Sequence, residues 1–192
     1  AEVRGSNLRY NQNQTIFDVL VTNENLGKFC IHVPGEHNVK NALGAVTLAL
    51  QLDIKVEKIQ AGLDQYNGVR RRFDIKYTLE NGIIIVDDYA HHPFEVTSTI
   101  QAAKSGWDRR LITVFQPHLF TRTRDFYQDF AKAFQKADIL VVTDIYQARE
   151  IPIPGITAEI ITDTAKKMGH KHVEYIPDQT QIASRLSDIA ES

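Results

Sequence analysis

The 192-residue chain is 43% hydrophobic with a net charge of −2, which excludes a disordered chain and gives no general attraction to nucleic acid or acidic membrane. Its length suits one ordinary domain or two small ones. A single cysteine, Cys30, excludes an internal disulfide and fits a reducing, cytoplasmic setting, and no apolar run approaches the ~20 residues of a membrane-spanning helix.

The polar opening AEVRGSNLRYNQNQ has neither an initiator Met nor a signal peptide, and we expect it to belong to the middle of a longer protein. Residues 15–22 and 28–33 alternate apolar and polar side chains around the turn-like NENLG, which predicts a β-hairpin. Cys30 then falls within a strand and reads as a packed apolar residue. PGEHN is a turn leading into an Ala- and Leu-rich helix over 39–52, and KVEKIQAGLDQY is a second, amphipathic helix ended by Asn67-Gly68. FDIKYTL and IIIVDD flank Asn81-Gly82 and predict another hairpin. From there strands and helices alternate: a helix from Pro93 to Lys104, a strand at 110–116, a helix at 123–137 and a strand at 138–145. A helix at 157–169, a short strand at 172–176 and a final helix capped by Asp178 follow. Buried strands alternating with helices predict an α/β fold with a mainly parallel, doubly wound, Rossmann-like sheet. The change of pattern puts a domain boundary near residues 68–72, with the first part incomplete. Trp107 is expected to cover the edge of the core, and His170 and His172, flanking a helix end, to be solvated.

Ligands bind such sheets at the carboxyl ends of the strands. Three polar clusters are expected there and should converge on one rim: DDYAHHPFE after the strand at 83–86, QPHLFTRTRD after 111–115, and TDIYQAREIPIPG after 139–143. In the first, Asp87, Asp88, His91 and His92 suit a divalent metal, a proton shuttle or a hydroxylated ligand. The alternative is a strand end, a helix cap and two solvated histidines. Zinc is disfavoured there, because adjacent histidines diverge on a loop and no second ligand pair has the right spacing. In the second cluster, Arg122 and Arg124 beside His118 oppose a helix dipole unless an anion occupies the site, and a guanidinium fork suits a carboxylate or phosphate. VRRRFD, residues 69–74, is either solvated surface or a phosphate contact. Asn38 and Asn41 beside His37 are either a helix cap or a pair of amides for an adenine edge.

Taken together and in order, GEHNVKNALGA, GVRRRFD, DDYAHHPFE, FQPHLFTRTRDF and DIYQAREIPIPG resemble the Mur ligase family, on its alanine-adding branch, over nearly the whole chain. The resemblance implies that residues 1–69 are the C-terminal part of a central ATP-binding domain and that 70–192 are the Rossmann-like C-terminal ligase domain. The G-x-x-x-x-G-K-[ST] phosphate loop on which the family relies is absent from this sequence, so the chain alone is expected to be inactive. The implied reaction joins L-alanine to UDP-N-acetylmuramate with ATP and Mg²⁺, through an acyl phosphate, in peptidoglycan precursor synthesis. His37, Asn38 and Asn41 would hold adenine, Arg72 would reach the γ-phosphate, and Asp88 would hold the ribose hydroxyls. Tyr89 and His91 would face the amino-acid and nucleotide side of a closed site, with His91 and Arg72 in catalytic roles. His118 and Arg122 would lie near L-alanine, with Arg122 gripping its carboxylate. Leu119 departs from the pattern, since many relatives carry arginine after the FQPH histidine. Three other readings stay open: a ligase that recycles a peptide onto the same sugar, a non-catalytic nucleotide-binding module, and a metal-dependent hydrolase. No metal ligand is assigned.

Overall fold

The computed structural model describes residues 2–22 and 24–191. The chain divides into two compact units, one running up to Ala90 and taking in Gln101–Arg109, the other made of His91–Ile100 and the residues from Arg110 on.

In the first unit, β1 (Val3–Asn11), β2 (Gln14–Val21) and β3 (Glu24–Ile31) form an antiparallel sheet in the order β1-β2-β3. Strand alternation turns Phe17 and Val19 of β2, and Phe29 and Ile31 of β3, to one face, where all four are essentially fully buried. Phe17 stands directly opposite Phe29, with ring centroids 6.2 Å apart, and burying each such ring contributes about 1.5–3 kcal/mol. Helix α1 (Glu36–Gln51) closes this core with Val39, Ala42 and Val46, and α2 (Val56–Asp64) adds Ile59. Strand β1 was not expected from the sequence. A bulge between Ser6 and Arg9, with Asn7 at φ 52°, breaks the two-residue period on which such an expectation rests. Helix α1 starts earlier than predicted, capped by Gly35 at φ 97°. A Cβ at Gly35 would lie 2.9 Å from the His37 ring and 3.0 Å from the Ala102 methyl group, so only glycine fits this helix entry.

Strands β4 (Asp74–Thr78) and β5 (Ile84–Asp87) form the second predicted hairpin. Gly82 at φ 85° and its N–H to the Leu79 carbonyl (2.8 Å) make the turn. This hairpin is a separate two-stranded sheet, so the DDYAHHPFE segment does not follow a strand of the parallel sheet, as the sequence reading had it. Phe73, buried just before β4, stacks on Trp107 (5.4 Å, 14°).

The second unit is the α/β part. Its parallel sheet has the order β6-β7-β8, from β6 (Ile112–Phe115), β7 (Ile139–Val142) and β8 (Val173–Tyr175). Leu140, Val141 and Val142 are all 0% exposed. Successive strand residues point to opposite faces, so both faces of β7 are covered. The first residues of α3 (Pro93–Gly106), with α4 (Phe120–Ala133), α5 (Glu159–Lys167) and α6 (Ile182–Glu191), supply the helices. Phe115 lies 5.0 Å from both Phe130 and Phe134. Asp178 caps the turn into α6 by accepting from the Thr180 N–H at 3.0 Å. His170, expected to be solvated, is instead 8% exposed, with neither ring nitrogen hydrogen-bonded. The Gly169 turn that ends α5 folds it inward, its own N–H donating to the Ala165 carbonyl.

Candidate functional site

Sequence-predicted site residues fall in both units, and each group is described within its own unit.

In the second unit the side chains of three loops meet at the carboxyl end of the parallel sheet. Pairing between β6 and β7 continues past the strands. The Thr143 N–H donates to Phe115 (3.0 Å), the Tyr146 N–H to Pro117 (2.8 Å), and the Leu119 N–H to Tyr146 (3.0 Å), closing a parallel bridge between His118 and Tyr146. This register puts the Tyr146 ring 5.5 Å from the His118 ring, and the His91 ring lies 6.2 Å from His118 on another side. Helix α4 begins at Phe120, three residues before the predicted start, because the Thr123 N–H and hydroxyl both return to the Leu119 carbonyl. Arg122 is therefore one helical turn beyond His118, and its Nη1 lies 3.3 Å from His118 Nδ1.

The electrostatics follow from this geometry. Burial first, and then the Arg122 cation and His91, push the His118 pKa below its ordinary value, while Glu150 opposes them. A neutral His118 accepts from Arg122 at Nδ1 and carries its proton on Nε2. Leu119, at φ 75°, offers α4 no side-chain cap. Glu150 supplies one from the neighbouring loop, accepting from the Thr121 N–H (3.0 Å) and from the Thr121 hydroxyl, and these bonds hold its carboxyl below the usual carboxylate range. The anion that the basic helix start required is thus the protein's own carboxylate. Arg124 is tied to Asp125 through two bonds of 2.7 and 3.1 Å, which separates it from Arg122.

The adjacent histidines also separate. His92 sits at the entry of α3, where its Nδ1 accepts weakly from the Phe94 N–H (3.4 Å), while Glu95 accepts from the N–H groups of His91 (2.9 Å) and His92 (3.2 Å). That is a capping-box arrangement. It leaves the His91 ring facing His118, with Nδ1 3.4 Å from Glu95.

In the first unit, Asn38 does not cap α1; its amide donates to the Pro34 carbonyl (2.8 Å), and Asn41 reaches Asn38 at 3.5 Å. Burial lowers the His37 pKa, with Asp88 opposing and Arg72 and Lys40 adding to the effect. His37, Arg72 and Asp88 are therefore electrostatic neighbours. Asp88 accepts from the Phe73 N–H (2.9 Å) and the Ala90 N–H (2.7 Å). Arg71 and Phe73, on either side of Arg72, have φ of 61° and 46°. Such conformations store strain that the surroundings must hold. The Tyr89 N–H donates to the Arg71 carbonyl at 2.8 Å, and the Arg71 guanidinium stacks 4.3 Å above the exposed Tyr89 ring.

Tyr146 and Glu150 were not singled out from the sequence. Only the cross-loop bridge, which joins residues far apart in the chain, gives them a place.

Comparisons with known proteins return one consistent likeness. The family model "Mur ligase, glutamate ligase domain" matches residues 71–192. The UDP-N-acetylmuramate--L-alanine ligase of Salinibacter ruber is 47% identical over 190 residues, covering 98% of this chain and 40% of that protein. The enzyme of the same name from Geotalea daltonii is 44% identical over 189 residues, covering 98% and 41%. Among solved structures, the UDP-N-acetylmuramate-alanine ligase of Thermotoga maritima superposes with a TM-score of 0.80 at 27% identity, covering 94% of this chain and 38% of that one. The chain thus spans about two fifths of the length of the curated relatives it matches.

Proposed function

Because this chain belongs to the Mur ligase family, we propose that its protein joins L-alanine to UDP-N-acetylmuramate at the expense of ATP, in peptidoglycan precursor synthesis. In this reading the sugar carboxylate attacks the γ-phosphate of ATP to give an acyl phosphate. The amine of L-alanine then attacks the acyl carbon and phosphate leaves. Residues 1–69 are the end of a central ATP-binding domain and 70–192 the ligase domain.

The observation that carries the reading is the arrangement of His118, Arg122 and Glu150. Arg122 is held by a neutral imidazole rather than by a carboxylate, while the nearby acid is committed to Thr121. A guanidinium so placed keeps donors for an incoming carboxylate, and L-alanine brings one. His118, with its proton on Nε2, offers that ligand a further donor, and by likeness to the family His91 and Tyr89 would face the amino acid and the nucleotide. His91 acts on the reacting groups, and Arg72 reaches the γ-phosphate. On the ATP side, by likeness to the family, Asp88 would hold the ribose hydroxyls, and His37, Asn38 and Asn41 would present ring and amide edges to adenine. Mg²⁺ would neutralise phosphate charge. Asp88 and Glu95 already accept backbone N–H groups and Glu150 holds Thr121, so no residue here is assigned to the ion.

The test is phosphate release by the full-length protein with ATP, Mg²⁺ and UDP-N-acetylmuramate, with and without L-alanine. Release that requires both sugar and alanine is expected. Alanine-independent turnover would transfer the reading to a peptide-recycling ligase or to a nucleotide-binding module.

A further inference from the structure

In the first unit, the ligating atoms of Cys30, His32 and Asp64 all lie within 4.8 Å of one another. We propose that these three side chains form a divalent metal site of the zinc class, which clips β3 to α2.

The placement comes from regular structure. Phe29, Ile31 and Val33 alternate into the core, so Cys30 and His32 share the opposite side of the strand. Both are half-buried. Cys30, read from the sequence as a packed apolar residue of a strand, lies in β3 and is only half-buried. Strand β3 is an edge strand, and α2 runs along it: the Gln60 amide donates to the Lys28 carbonyl at 3.0 Å and to the Leu26 carbonyl at 3.5 Å. One helical turn further on, Asp64 Oδ1 meets His32 Nε2 at 3.1 Å. The Cys30 sulfur lies within 4.8 Å of the same carboxylate; burial and then Asp64 raise its pKa, while the Gln14 side chain opposes them.

A tetrahedral zinc ion with ligand bonds of about 2.0–2.3 Å holds its donor atoms roughly 3.3–3.7 Å apart. The His32–Asp64 spacing is already close to that value, and the sulfur is within a small rotamer adjustment of it. Thiolate and imidazole together favour zinc-like ions over magnesium or calcium, and a carboxylate completes a common donor set. The Gln14 amide is placed to donate to a metal-bound thiolate, as outer ligands do. A fourth position is left for water. Binding replaces the thiol proton, so each ion taken up by the protonated site forms one metal–sulfur bond and releases one proton. Without metal, the His32–Asp64 contact already brings two of the three ligands together.

The test is titration of the full-length, nucleotide-free, chelator-treated protein with Co²⁺ as a spectroscopic stand-in. One equivalent should bind with a thiolate-to-cobalt charge-transfer band and tetrahedral visible bands, and Zn²⁺ should displace it. Saturating Zn²⁺ should raise the melting temperature by about 5 °C. Cys30→Ser should abolish the charge-transfer band, and His32→Ala and Asp64→Asn should each weaken Zn²⁺ binding by about 100-fold. Failure to take up cobalt at about 100 µM would overturn the proposal, as would a cobalt spectrum that Cys30→Ser leaves unchanged.

Discussion

In the first unit two of the polar side chains singled out for function are bonded to backbone. Asp88 receives two N–H groups and Asn38 gives its amide to a carbonyl. In the second unit His91, His118, Arg122 and Tyr146 meet side chain to side chain, and the loops that carry His118 and Tyr146 are fixed by strand pairing. Under the proposed function, the first arrangement would make a ligand contact and a fold contact out of the same side chain. The second separates them, so a side chain can change there without unpinning the chain. Function and stability should therefore come apart under mutation in one unit and move together in the other.

Arg122→Ala should give the largest functional effect, raising the KM for L-alanine about 100-fold while leaving the KM for ATP and the melting temperature nearly unchanged. Equal effects on both substrates would reject the carboxylate clamp, and a large loss of stability would erase the contrast between the units. Asp88→Asn should do both things at once. It turns one acceptor oxygen into an NH₂ group facing a backbone N–H, at a cost of about 1–3 kcal/mol. The melting temperature should fall, and the KM for ATP should rise about tenfold through the lost ribose contact. An unchanged KM for ATP would leave Asp88 with a structural role alone.

Glu150→Gln is a milder probe. It keeps the shape but removes the charge at the start of α4, and should raise the KM for L-alanine about threefold. Because Glu150 is the group that opposes the depression of His118, the His118 resonance should titrate at lower pH in this variant. A titration moved upward would show that the two groups are not coupled as described. The smallest effect is on pH-dependent stability. His37 and His118 are both held below the ordinary value of 6.5, so below that pH the unfolded chain binds protons that the folded chain refuses. Their contribution is complete above pH 6.5 and is lost as pH falls toward the folded values. Melting curves should shift down by about a few degrees between roughly pH 7.5 and 5.5, and His118→Gln should remove part of that slope. A slope untouched by the substitution would assign the effect elsewhere.

The clusters that carry the site could be read from the sequence because titratable groups crowd into short segments at the ends of strands. The parallel sheet and its helices were legible for a similar reason: Leu140 to Val142 form an unbroken buried run, and the aromatic residues of α4 keep helical spacing. What escaped depended on irregular backbone or on distance along the chain. A bulge concealed β1. The return bond from Thr123 moved the start of α4 and with it the position of Arg122. Glu150 caps a helix that begins 30 residues before it, and Asp64 lies 32 residues from His32, separations at which no local pattern operates. Both pairings depend on which elements pack side by side. The hairpin of β4 and β5 was foreseen as a hairpin, but it was also counted as a strand of the parallel sheet, and alternation alone does not say which neighbour a strand takes.

The bridge between His118 and Tyr146 also restricts how this protein can diversify. Two loops zipped in register cannot lengthen one at a time: an inserted residue on either side would carry His118 away from Tyr146 and Glu150 away from Thr121. Descendants that come to accept a different amino acid must therefore do so by exchanging side chains on a backbone of constant length. Insertions and deletions should accumulate instead in connections that take no part in the pairing, such as the turn between β4 and β5.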